Sequence, residues 1–197
     1  MKKILSVLIV LSMLSMCALT CYATEVRNKE NVDYIYVDYD EFHGNRAYYN
    51  QLLFEGYAII VSVGEEHAAE EVARLNRATS VVHELVPSLQ RGTSRPTVGY
   101  DVHSNPAYTF TCNANYDNLY TNVAFYGCVA YLINGFNQSY SNSLQIRVYG
   151  TTNDTAFYVP ARSTIYKVVG TASSTTQWFP MFHAPSEAYG QIYCIGH

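Results

Sequence analysis

From Tyr100 onward the chain shows no helical spacing of apolar residues, and this most constrains what it can fold into. Short stretches rich in aromatic and β-branched residues follow one another instead, at 107–114, 122–133, 143–149, 155–159, 163–169, 176–182 and 188–195. Turn-forming residues separate them, among them Asn134-Gly135, Pro160-Ala161 and Ala184-Pro185-Ser186. Leu144, Ile146 and Val148 alternate with Gln145, Arg147 and Tyr149, the pattern of a half-exposed strand. Residues 123–133 are apolar on both faces, which predicts a central strand. A run of about seven short strands with regular turns predicts an antiparallel β-sandwich over 99–197.

The preceding stretch has a different grammar. Residues 34–39 read as a strand, and Phe42, Tyr49, Leu52 and Leu53 then recur at helical spacing until Gly56 closes the segment. Residues 57–63 form a continuous apolar strand, followed by Glu65 and Glu66 where a first helical turn favours acids. Ala68, Val72, Leu75, Thr79, Val82 and Leu85 line one face of a long helix that Pro87 ends. The order β-α-β-α predicts two parallel strands joined by a right-handed crossover. Residues 88–99 read as an exposed connection. The expected fold is therefore α+β: a small βαβα segment over 24–98, docked on the sandwich because two strands cannot close a core alone.

At the N-terminus, Lys2 and Lys3 precede an apolar run too short for a membrane span, which needs about 20 residues. Ala23 stands where a signal peptidase would cut, so residues 1–23 are expected to be a signal peptide, similar to those of Gram-positive secreted proteins. Cys17 or Cys21 as a lipid-anchored residue is the competing reading, opposed by the bulky Met16 and by Thr20. The expected location is extracellular, with no later membrane span. Residues 24–98 carry 7 Lys and Arg against 12 Asp and Glu, and residues 99–197 carry 3 against 4. Without a basic run, neither nucleic acid nor an anionic lipid surface is an expected partner.

Three cysteines follow the signal: Cys112, Cys128 and Cys194. A hairpin between 107–114 and 122–133 would set Cys112 opposite Cys128, making that pair a candidate disulfide. Cys128–Cys194 is the rival, and three buried thiols the simplest alternative. Catalysis by Cys194 lacks a feature that would activate the thiol, although His183, His103 and His197 are available. Cys194-x-x-His197 supplies only half of a zinc site.

Parallel strands at 34–39 and 57–63 would gather Asp38, Asp40, Glu41 and Glu65 at their C-terminal ends, a set of oxygens suited to calcium. Each of these residues also has a local use at a helix start. The aromatic segment 177–183, with Trp178 and Phe179, joins Tyr149 and Tyr189 as candidate binding residues, since aromatic rings stack on sugars and anchor protein interfaces. The opposing reading puts Trp178 in the core. The function expected is a non-enzymatic binding module for an extracellular glycan or protein. An enzyme with a site between the halves, or a surface protein that self-associates, are the alternatives.

Overall fold

A computed structural model describes residues 32–77, 82–85 (backbone only) and 94–196. The expected signal peptide over 1–23, Thr79, Pro87, residues 88–93 of the expected connection and His197 lie outside the described residues. The apolar run at 58–62 becomes strand β2 (Ala58–Ser62), and β1 (Tyr34–Asp38) pairs with it in parallel, Tyr34 opposite Ala58 and Asp38 opposite Ser62. Between them lie two short helices, α1 (Tyr39–Gly44) and α2 (Arg46–Phe54), and after β2 comes α3 (Ala68–Asn76). The long helix expected up to Leu85 stops at Asn76. Residues Val82–Leu85 instead form β3, which pairs in parallel with Thr109–Cys112, so sheet pairing overrides the helical spacing.

The later strands are β4 (Gly99–Asp101), β5 (Tyr108–Ala114), β6 (Leu119–Tyr120), β7 (Ala124–Tyr126), β8 (Ala130–Asn137), β9 (Leu144–Tyr149), β10 (Thr155–Val159), β11 (Ser163–Gly170), β12 (Phe179–Phe182) and β13 (Ser186–Gly196). They divide among three sheets: seven strands in the order β1-β2-β11-β8-β13-β5-β3, four in the order β10-β9-β12-β6, and the pair β4-β7. The fold is thus mostly β with few helices. The sheet crosses the expected boundary at residue 98: β1 and β2 are hydrogen-bonded into the large sheet through β11 and do not dock on it as a separate segment.

The expected strand 122–133 is two strands. Gly127 has φ +100°, which extended backbone cannot accommodate, so the chain leaves the β4-β7 pair there and re-enters the large sheet as β8. The expected hairpin is also absent, because β5 pairs with β13 and β3. Cys112 therefore never faces Cys128. The disulfide joins Cys128 to Cys194, with Cα atoms 6.0 Å apart, and Cys112 is a buried free thiol 3.6 Å from Ser186 Oγ.

Alternation gives the large sheet two faces. Val37, Ile59, Val61, Leu132, Phe136, Tyr166 and Tyr189 meet Phe42, Tyr49, Leu53 and Leu75 of the helices. The opposite face meets the four-stranded sheet and the residue just before β12 through aromatic pairs, Phe110 with Phe182 at 4.9 Å and Tyr131 with Trp178 at 5.0 Å between ring centres. Gly190 lies opposite Gly135 in the β13-β8 register. A Cβ on Gly190 would come 2.6 Å from the Phe110 ring, so only glycine lets that ring lie flat on the strand.

Candidate functional site

A cleft opens at the C-terminal ends of β1 and β2. Asp38, Ser62 and Ser163 stand directly opposite one another across β1, β2 and β11, and so share one face. Tyr36, two residues before Asp38, lies on the same face opposite Ile60 and is 67% exposed. These five side chains, with Val37, Glu41, Pro160 and Ala161, line a cavity of about 420 Å³ at the C-terminal ends of the parallel strands. Glu41 enters from α1, where its Oε1 accepts a 2.7 Å hydrogen bond from Tyr49. That bond, ahead of burial, pushes the Tyr49 hydroxyl up to about 12, so it stays a donor and holds the carboxylate in place.

The wall at Pro160-Ala161 is held from two sides. Asn137 is fully buried, and its Nδ2 donates toward the carbonyls of Asn142, Val159 and Pro160 at 2.8, 3.0 and 3.1 Å. Arg162 follows with φ 55°, a left-handed conformation that costs a non-glycine residue about 1 kcal/mol or more. Its contacts account for this. The Arg162 carbonyl accepts from Val63 and Gly64, its Nη1 donates to Gln138, and its guanidinium covers the Phe136 and Tyr140 rings. The turn after β10 is thereby fixed over the ends of β1 and β2.

Of the residues singled out in the sequence, Asp38 and Glu41 share this cleft, whereas Asp40 and Glu65 are exposed and are not among its lining residues. Among the described residues, no three carboxylates converge closely enough to hold a cation such as calcium; the one such group is His103, Cys128 and Cys194. Trp178 is no binding platform. It is fully buried between Phe125 and Tyr131, just before β12, where its backbone pairs with that of Phe125. Tyr189 is likewise enclosed, 5% exposed under the helices, with its hydroxyl bonded to Asn76. Phe179 and Tyr149 do come together. They are opposed in the β12-β9 register and stacked at 5.6 Å on the outer face of the small sheet, with the Arg95 and Arg147 guanidinium groups over Tyr149.

A polar cluster that the sequence did not signal lies beneath the helices. Glu71 of α3, 1% exposed, accepts two 2.8 Å bonds from Arg74 and one of 2.7 Å from Thr164. Burial opposes its charge, yet the Arg74 and Thr164 bonds outweigh burial and hold the carboxyl below its ordinary range. His43 nearby is pushed down by burial and by Arg74. Beside the cluster is a second cavity, lined by Arg74, Arg77, Ala107, Asn134, Gln191 and Tyr193.

Comparison with protein-family models, with characterised proteins and with solved structures gives no match to this chain.

Proposed function

We propose that this chain is a secreted, non-enzymatic binding module for a glycan, and that the cleft at the ends of β1 and β2 is its contact site. One observation carries the reading: an exposed tyrosine ring, two carboxylates and two serine hydroxyls line a single cavity on a rigid sheet. A sugar offers an apolar C–H face and paired hydroxyl groups. Tyr36 supplies a flat surface for the first. Asp38 and Glu41 supply acceptors for the second, and hydrogen bonds to an ionised acceptor are about twice as strong as neutral ones. Ser62 and Ser163 both donate and accept, so they can follow the orientation of a hydroxyl.

The test is a glycan array probed with residues 24–197, followed by calorimetry on any positive sugar. Tyr36→Ala and Asp38→Asn should each abolish binding while leaving the folded signal unchanged. A second pair, Tyr149→Ala and Phe179→Ala, examines the outer face of the small sheet. Loss of binding in that pair alone would move the site there. Unchanged binding in all four variants would sink the reading.

A further inference from the structure

The fold brings together a second group of side chains, remote in sequence. Strands β4 and β7 are parallel, with Asp101 opposite Tyr126, so the chain two residues beyond each places His103 beside Cys128. The turn carrying His103 is fixed by Asp101: its Oδ1 accepts from the backbone N–H of His103 at 3.0 Å and of Ser104 at 3.2 Å. From the other side, β13 delivers Cys194 opposite Tyr131, at a bulge where the register with β8 shifts. Cys128 is buried and anchored, its N–H bonded to the Tyr131 hydroxyl at 3.1 Å. His103 is exposed, so the group is open to solvent on one side.

The imidazole nitrogen and the two sulfurs all lie within 4.8 Å of one another. Around a tetrahedral zinc ion, with Zn–S of about 2.3 Å and Zn–N of about 2.0 Å, neighbouring ligand atoms are about 3.5–3.8 Å apart. With their Cα atoms 6.0 Å apart, the two sulfurs become free to separate toward that spacing once the bond between them is cleaved.

We propose that, once the Cys128–Cys194 disulfide is reduced, His103, Cys128 and Cys194 form a three-ligand site for a thiophilic divalent cation of the zinc class. A dithiol reductant delivers two electrons and two protons to the S–S bond, leaving two thiols and becoming a disulfide itself. The cation then displaces both thiol protons and binds two thiolates and the neutral imidazole. The fourth position is left to water, as in sites with three protein ligands. The same residues therefore hold the chain together in two ways, covalently when oxidised and through the metal when reduced. Thiolate and imidazole ligands favour zinc over calcium or magnesium.

The experiment uses residues 24–197 carrying Cys112→Ser, which removes the one other thiol, with cobalt and zinc as probes. After reduction by a phosphine, one equivalent of cobalt should give the strong visible bands of tetrahedral thiolate coordination, and zinc should displace it. The oxidised chain should give no such bands. His103→Ala should weaken zinc binding by more than about a hundredfold, beyond the loss of a merely outer partner. A reduced chain that keeps its near-ultraviolet circular dichroism yet takes up no cobalt overturns the proposal, as does equal zinc affinity with and without His103. Should reduction abolish that circular dichroism, recovery on adding zinc supports the site, and failure to recover overturns it.

Discussion

Glu71 and Arg74 stand one turn apart on α3 and meet through two 2.8 Å hydrogen bonds, with the carboxylate sealed against Thr164 of β11. Removing the carboxylate leaves a partly enclosed guanidinium without its counter-charge. Glu71→Ala is expected to cost about 3–5 kcal/mol, read as a lower urea midpoint. Because the folded state holds this carboxyl below its ordinary range, the stabilisation is fully present above the unfolded value of about 4.3 and fades as pH falls through the folded one. Glu71→Gln should therefore lose most relative to wild type at neutral pH, and the gap should narrow in acid.

Trp178 is 0% exposed and packs against Phe125 and Tyr131. Trp178→Ala should destabilise the chain by about 3–5 kcal/mol through the cavity it leaves. Its fluorescence should be blue-shifted and resist acrylamide until the protein unfolds. Ready quenching in the native state would show that the ring lies at the surface.

The two kinds of cysteine should separate chemically. Burial pushes the Cys112 thiol up to about 12, so iodoacetamide should label it only in denaturant. The Cys128–Cys194 bridge closes a sequence separation of 66 residues, and replacing both by Ala should cost about 4 kcal/mol. Intact-mass measurement after alkylation, with and without reductant, reads the thiol count directly.

Lys167 donates to the Gly56 carbonyl at 2.5 Å, and burial pushes its ammonium down to about 8. The unfolded lysine holds its proton up to about 10.4, so over that interval the unfolded state binds more protons. The Lys167 contribution to stability should consequently rise with pH across it. Lys167→Met removes that slope, and comparing the two chains by urea unfolding at several alkaline pH values isolates it from the tyrosines.

Most individual strands were legible because their signals are local: Leu144-Gln145-Ile146-Arg147-Val148-Tyr149 alternates, and 155–159 sits between turn residues. The parallel pairing of the first two strands followed from β-α-β order, which also marked Asp38 and Glu41 as neighbours at one sheet edge. Partners chosen over long sequence separations were not legible. Ser163 joins Asp38 only because β11 inserts beside β2, and His103 meets Cys128 only through the three-residue register of β4 and β7. Val82-His83-Glu84-Leu85 continues a helical spacing yet pairs with β5, a choice that depends on β5 already being present. For Trp178, side-chain type could not separate core from platform; the long-range pairing of its backbone with Phe125 decided it.

Strand β13 has its own consequence for how the molecule comes into being. It lies between β8 and β5, so the two halves of the large sheet are hydrogen-bonded to each other only through a segment synthesised after both. A nascent chain that ends before Ser186 has two sheet fragments with open edges and no strand to pair them. Such edges recruit other strands, and pairing of this non-local kind is slow to form. Until β13 emerges the chain stays pliable and needs shielding from its neighbours; once it emerges, a single insertion closes the sheet. A premature stop codon before β13 would therefore yield aggregate rather than a smaller folded protein.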